Sequence, residues 1–139
     1  MSRSMQEAGE ALIRESESIL RRDVQGALDE GDFNIVVRRA QEVVELALKG
    51  ALRMLGVDYP KVHDVAPVFS EQVQQKGVAV DVEVLEQIED ISFWLSQARA
   101  PSFYLERDYG EEDARQAFRD AVFVLTEVRK ILGMTSVLP

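Results

Sequence analysis

The sequence predicts an all-α fold, an up-and-down antiparallel four-helix bundle with a short additional helix, and three observations predict it. Apolar residues recur at steps of three and four through four long segments. Glycine, proline and aspartate stand between those segments, where helices stop and start. Period-two alternation is convincing only in VAVDVEVL, Val78 to Leu85, and a single strand has no partner.

The first helix runs from about Ser4 to Glu30, with Ala8, Leu12, Ile19, Leu20, Ala27 and Leu28 at helical spacing and no proline among them. Gly31 ends it and Asp32 caps the next. That second helix, FNIVVRRAQEVVELALKGALRMLG, is apolar over a face wider than one seam. Its polar stripe is narrow: Arg38, Glu42, Glu45, Lys49 and Arg53, with Glu45 and Lys49 in the favourable acid-first order. It is expected at the centre of the bundle.

Gly56 closes it, and Asp64 is the expected N-cap of a short third helix, DVAPVFSEQVQQ, with Pro67 in its first turn and Gly77 at its end. Asp81 caps the fourth, whose buried stripe is Val84, Leu85, Ile88, Ile91, Ser92, Leu95 and Ala98, with Val80 and Leu85 as a hydrophobic staple. Pro101 is expected to break it. After the loop APSFYLERDYG a fifth helix begins at Glu111, Glu112 and Asp113, whose charges suit its positive end. Ala114, Phe118, Ala121, Leu125, Val128 and Leu132 form its core face, and Arg129, Lys130 and Gly133 its ending.

Composition narrows the function. The 139 residues suit a single domain over 1–139, 46% hydrophobic and 29% charged. A net charge of −9 opposes broad nucleic-acid binding but allows a local basic patch. Without cysteine there are no disulfides or thiolate metal sites, which fits a cytoplasmic location. Acids interrupt the N-terminal segment where a signal peptide needs an apolar run, and no stretch reaches membrane-spanning length, so no membrane partner is expected.

No metal site and no cofactor are expected. One histidine and no cysteine close off Cys-His and His-rich centres, and the Glu-x-x-His pattern of bundle di-iron sites is missing. The glycines stand singly, with neither a Walker loop nor GxGxxG, which leaves phosphate to helix N-termini or arginines. Glu86 with Asp90, and Glu111 with Glu112, read as solvated faces; Met54 and Trp94 read as core or interface. His63 is expected to fasten the loop to the third helix by bonding the cap Asp64 or a neighbouring carbonyl. The most suggestive loop follows the fourth helix. Arg99, Tyr104, Arg107 and Tyr109 lie close in sequence there, where guanidinium forks onto phosphate and phenol rings stack on bases; the structural alternative is pairing of Arg99 with Glu106 or Asp108.

RRAQEVVELALKGALRMLGVDYPKVHDV resembles the signature of HEPN domains (higher eukaryotes and prokaryotes nucleotide-binding). Gln41, Glu45, Ala47, Leu48, Lys49 and Leu52 fall on the family's second-helix pattern, and Pro60, Lys61, His63 and Asp64 on the loop after it. The resemblance covers nearly the whole chain. It implies a helical bundle that forms a homodimer, binds a nucleotide or RNA, pairs with a small nucleotidyltransferase and takes part in toxin-antitoxin systems. Many members are metal-independent ribonucleases carrying Arg, four to six residues, then His. Here Arg99 matches the arginine, while Tyr104, Leu105 or Glu106 fills the histidine slot.

That departure matters chemically. Metal-free RNA cleavage needs a base for the 2′-hydroxyl, an acid for the leaving oxygen and a cation for the phosphorane. Arg99 supplies only the last, and a phenol is a weak proton acceptor at neutral pH. The expectation is therefore a binding module without strong catalysis, with Arg99, Tyr104, Arg107 and Tyr109 as ligand contacts. The alternatives are a toxin-type ribonuclease using Arg99 and Tyr104, and a non-catalytic protein-interaction module.

Overall fold

A computed structural model describes residues 4–134. It is all-helical over those residues, and its elements follow the expected order. Helix α1 (Met5–Ser18) opens with a capping box in which the Ser4 side chain accepts from the Glu7 N–H and the Glu7 carboxylate reaches back. It passes through a π-helical segment (Ile19–Val24) into α2 (Gln25–Glu30), which together make the expected first helix. Helices α3 (Phe33–Met54), α4 (Ala66–Gln75), α5 (Val82–Phe103) and α6 (Glu111–Ile131) follow.

Helix α3 is the central element: none of its residues is exposed. Val36, Val37, Ala40, Val43, Val44, Ala47, Leu48, Ala51 and Leu52 bury its wide apolar face against α1, α5 and α6. Around it the core takes Ile13, Val24, Phe69, Ile88, Leu95, Val124 and Leu125. Gly31 and Gly56 adopt left-handed φ angles of 75° and 82° at the two ends of this helix, as C-terminal stops do.

Helix α1 crosses α3 at two glycines. A Cβ on Gly9 would lie 2.5 Å from the Gly50 carbonyl oxygen, and one on Gly50 would lie 2.7 Å from that of Gly9. Backbone atoms cannot rotate away, so Gly50→Ala must push the helices apart. We expect a loss of about 1–3 kcal/mol from overpacking, larger than the ~1 kcal/mol gained in helix propensity. Gly26 has nothing within 4 Å of the same position, so Gly26→Ala should instead stabilise by roughly 0.5–1 kcal/mol. Urea unfolding of the two variants checks the opposite signs.

The structure corrects four expectations. The first helix buries Ile19, Leu20 and Ala27 as expected, but in its first half the buried stripe is Gly9, Ile13, Ser16 and Glu17, one position from Ala8 and Leu12. Pro101 does not end α5, which continues to Phe103, because a missing N–H in the last turn costs one hydrogen bond and the chain is already leaving the helix. Leu105 follows in the left-handed region (φ 57°), a position that ordinarily favours glycine. Asp64 stands one residue before the N-cap of α4, which is Val65; its carboxylate still accepts from the Ala66 N–H. Arg129 is not simply a charge at a helix C-terminus but is buried in an ion pair with Glu17.

Candidate functional site

Helical spacing stacks Gln41, Glu45 and Lys49 on one face of α3, each one turn above the last. Helix α5 lies alongside and brings Arg99 over the first of them. Arg99 Nη1 donates to Gln41 Oε1 at 2.6 Å, and Gln41 Nε2 donates to Glu45 Oε1 at 2.8 Å. Lys49 Nζ donates to Glu45 Oε2 at 2.7 Å, and His63 Nδ1 meets Glu45 Oε1 at 2.8 Å. One hydrogen-bonded chain thus joins α5, α3 and the loop before α4. Gln41 is only 2% exposed, so the amide linking Arg99 to Glu45 is fixed by its surroundings.

His63 therefore fastens the loop to α3 rather than to the cap of α4. Asp64 is already engaged, accepting from Ser92 Oγ at 2.7 Å and from the Ala66 N–H, and the imidazole turns the other way. Its side chain keeps 57% of its surface exposed.

The chain of bonds lies beneath two adjoining cavities. The outer, about 420 Å³, is lined by Arg38, His63, Ser96, Arg99, Ala100, Phe103 and Tyr104. The inner, about 120 Å³, is lined by Glu42, Glu45, Leu46, His63 and Arg99. The outer one falls in the size range of small-ligand pockets. The Arg38 guanidinium stacks 4.1 Å from the centre of the Phe103 ring, and Phe103 meets Tyr104 edge-on at 4.8 Å.

Arg99 forms no ion pair among the described residues; its hydrogen bond goes to a neutral amide. Arg38 comes no nearer than 4.0 Å to Glu42, which Arg39 engages at 3.2 Å. Arg99 thus faces the cavity without an ion pair among the described residues, and Arg38 faces it with only a long one to Glu42. Glu45 is different. Burial works to raise its pKa, but the hydrogen bonds from Lys49, Gln41 and His63 outweigh burial and hold it below the ordinary 4.5.

A depressed carboxylate stabilises the fold above its unfolded-state pKa, and that contribution disappears as pH falls through the folded value. Glu45→Gln should thus cost roughly 1–3 kcal/mol at neutral pH. The gap to wild type should narrow as pH drops below 4.5. Urea unfolding across that range measures it.

Of the four residues singled out from sequence, the fold gathers Arg99 and Tyr104 at the outer cavity. Tyr104 is 69% exposed. Arg107 and Tyr109 go elsewhere: the Tyr109 ring is 6% exposed and packs edge-on against Trp94, with the Arg107 guanidinium 4.7 Å above it. Asn34 causes the separation. Its Nδ2 donates to the carbonyls of Ser102 and Arg107, and its Oδ1 accepts from the Tyr109 N–H, which ties the loop to the start of α3. Arg38, Phe103 and the Gln41–Glu45–His63 connection were not foreseen as a site, since they meet only in the folded chain.

A second cavity of about 420 Å³ is lined by Trp94, Glu112, Asp113, Gln116, Arg119 and Asp120. Three carboxylates against one arginine make it hostile to phosphate. Among the described residues, no three His, Asp or Glu side chains converge to hold a metal ion, and no helix is long and apolar enough to cross a membrane.

No curated protein matches this chain. The crystal structure of TT1696 from Thermus thermophilus is similar to it with a TM-score of 0.69, covering 88% of this chain and 97% of that one. At 20% identity this likeness establishes the fold alone. The family model of the HEPN domain matches residues 10–131. Helix order, the α3 signature and that match agree: this chain belongs to the HEPN domain family.

Proposed function

We propose that the cavity between α3 and α5 binds a nucleotide or a short segment of RNA, with Arg99 and Arg38 on phosphate and Phe103 and Tyr104 offering ring faces to a base. The observation that carries this reading is one cavity that places Arg99, which makes no ion pair among the described residues, and Arg38, whose ion pair with Glu42 is long at 4.0 Å, beside exposed aromatic rings. A net charge of −9 disfavours diffuse binding of a polyanion over the surface as a whole, which leaves affinity to local clusters of arginine such as this one. Family membership supports the same ligand class.

The reading extends to a homodimer, a nucleotidyltransferase partner, a toxin-antitoxin setting and the cytoplasm, as a single HEPN-like domain. The exposed apolar side chains of Phe103 and Leu105 support a protein partner at this end of α5. A second reading, ribonuclease activity, is favoured by the presence of His63 in the same cavity as Arg99. Fluorescence anisotropy with a labelled single-stranded oligoribonucleotide, in chelator and at low salt, tests the binding reading. Saturable, salt-sensitive binding is expected, and its absence at the lowest salt contradicts it.

A further inference from the structure

Arg99 enters the cavity held at one point. Its Nη1 donates to Gln41 Oε1 at 2.6 Å, the one hydrogen bond its side chain makes among the described residues, and the half-buried guanidinium lines both the outer and the inner cavity. A guanidinium carries five N–H donors, so most stay available to a ligand. The partner differs from those of other arginines in the chain. Arg39 meets Glu42, Arg115 meets Glu111 and Arg129 meets Glu17, each a carboxylate, whereas Arg99 meets a neutral amide.

That amide can stand only one way round. Glu45 is ionised at neutral pH, and an ionised carboxylate only accepts hydrogen bonds, while a guanidinium only donates them. Gln41 Nε2 must therefore face Glu45, where it donates at 2.8 Å, and Oε1 must face Arg99. At 2% exposure the side chain has no solvent to turn to. Neither a glutamate nor a leucine at this position serves both ends. The first gives Arg99 an anion and sets a second carboxylate against Glu45; the second makes neither bond.

We propose that Gln41 is the positioning residue of the RNA site: it aims Arg99 into the cavity while leaving the guanidinium charge to a phosphodiester. The proposal rests on the RNA-binding reading above and names what prepares that site for its ligand. The buried carboxylate of Glu45 is taken up by Lys49 Nζ at 2.7 Å and His63 Nδ1 at 2.8 Å, and the amide stands between it and the arginine. An arginine already tied in place loses less freedom when phosphate arrives than one that must be ordered by the ligand itself. Gln41 touches no ligand and acts through Arg99.

Geometry and charge separate in the test. Full-length protein is titrated with a labelled single-stranded oligoribonucleotide carrying 2′-O-methyl groups, in chelator, over a series of salt concentrations, with melting temperatures in parallel. Gln41→Leu should weaken affinity by about 3- to 10-fold, the effect of an arginine that has to be ordered on binding. Its salt slope should stay at the wild-type value of about −1.4, because Arg99 remains charged. In an Arg99→Ala background the same substitution should change affinity no further, since nothing is left to position. Gln41→Glu keeps the size and the acceptor but pairs Arg99 with an anion. It should weaken affinity by about 10- to 100-fold and bring the slope toward about −0.7. Should Gln41→Leu fail to fold, Gln41→Glu decides. Wild-type affinity in folded Gln41→Leu, an equal loss with and without Arg99, or a wild-type slope in Gln41→Glu overturns the proposal alone. A wild type that does not bind overturns the RNA-binding reading and this proposal with it.

Discussion

Arg99→Ala is expected to weaken RNA binding by about 10- to 100-fold, the effect of losing a charge-assisted contact to phosphate. Its salt dependence should change as well. With Arg38 and Arg99 each neutralising one phosphate, the slope of log affinity against log salt is about −1.4 for a single strand and should fall to about −0.7 in the variant. Arg107→Ala is the matched control. It removes the same charge just past the cavity's aromatic pair, where the guanidinium lies on Tyr109, and should leave affinity nearly unchanged. Equal losses from the two substitutions would mean that diffuse positive charge, rather than this cavity, attracts RNA. Arg99→Ala also strips the buried Gln41 Oε1 of its donor, so unfolding is measured in parallel.

Glu17→Ala is expected to cost about 3–5 kcal/mol, because it leaves Arg129 charged and buried without its partner. The two side chains, in residues 4% and 5% exposed, join α1 to α6. Arg129 Nε already lacks a hydrogen-bond partner among the described residues, so no spare acceptor takes over. A domain of this size is stable by about 5–15 kcal/mol, and the loss is therefore a large fraction of the total. Replacing both residues together, Glu17→Leu with Arg129→Met, should be far milder, since buried ion pairs often exchange for apolar groups at little cost. Urea unfolding of the single and double variants measures this. A single-variant loss below about 1 kcal/mol would show that water reaches the pair.

The same ion pair helps explain why the first half of the first helix was misread while α3 was not. Helix α3 announces its orientation, because its buried face is apolar and its narrow stripe is charged. The first helix buries Gly9, Ser16 and Glu17, and hydropathy alone assigns all three to solvent. Gly9 is buried because backbones touch there, Ser16 because its hydroxyl donates to the Ile13 carbonyl at 2.6 Å, and Glu17 because Arg129 meets it. None of these causes is legible in hydropathy. The π-helical segment that follows likewise carries no signal in Ile19–Val24 itself.

The site divides along the same line. Arg99 and Tyr104 were legible from their spacing after a recognisable helix. Arg107 and Tyr109 shared that signal, yet Asn34, about seventy residues earlier in sequence, turns their segment aside. The bonds from Gln41 to Arg99 and from Glu45 to His63 each cross between elements, so their residues were visible on the α3 pattern but their joint role was not. His63 was read as a fastener, and a fastener it is. Only the fold reveals that it fastens to α3, at the mouth of the arginine-lined cavity.

The chain's one histidine and one tryptophan line opposite candidates, which makes a single titration decisive. Isotope-labelled protein, followed by NMR as a short RNA is added, should show the His63 imidazole and the Arg99 guanidinium signals moving together, with the Trp94 indole still. Saturation with Trp94 moving and His63 unmoved would place the ligand on the acidic face and contradict the account.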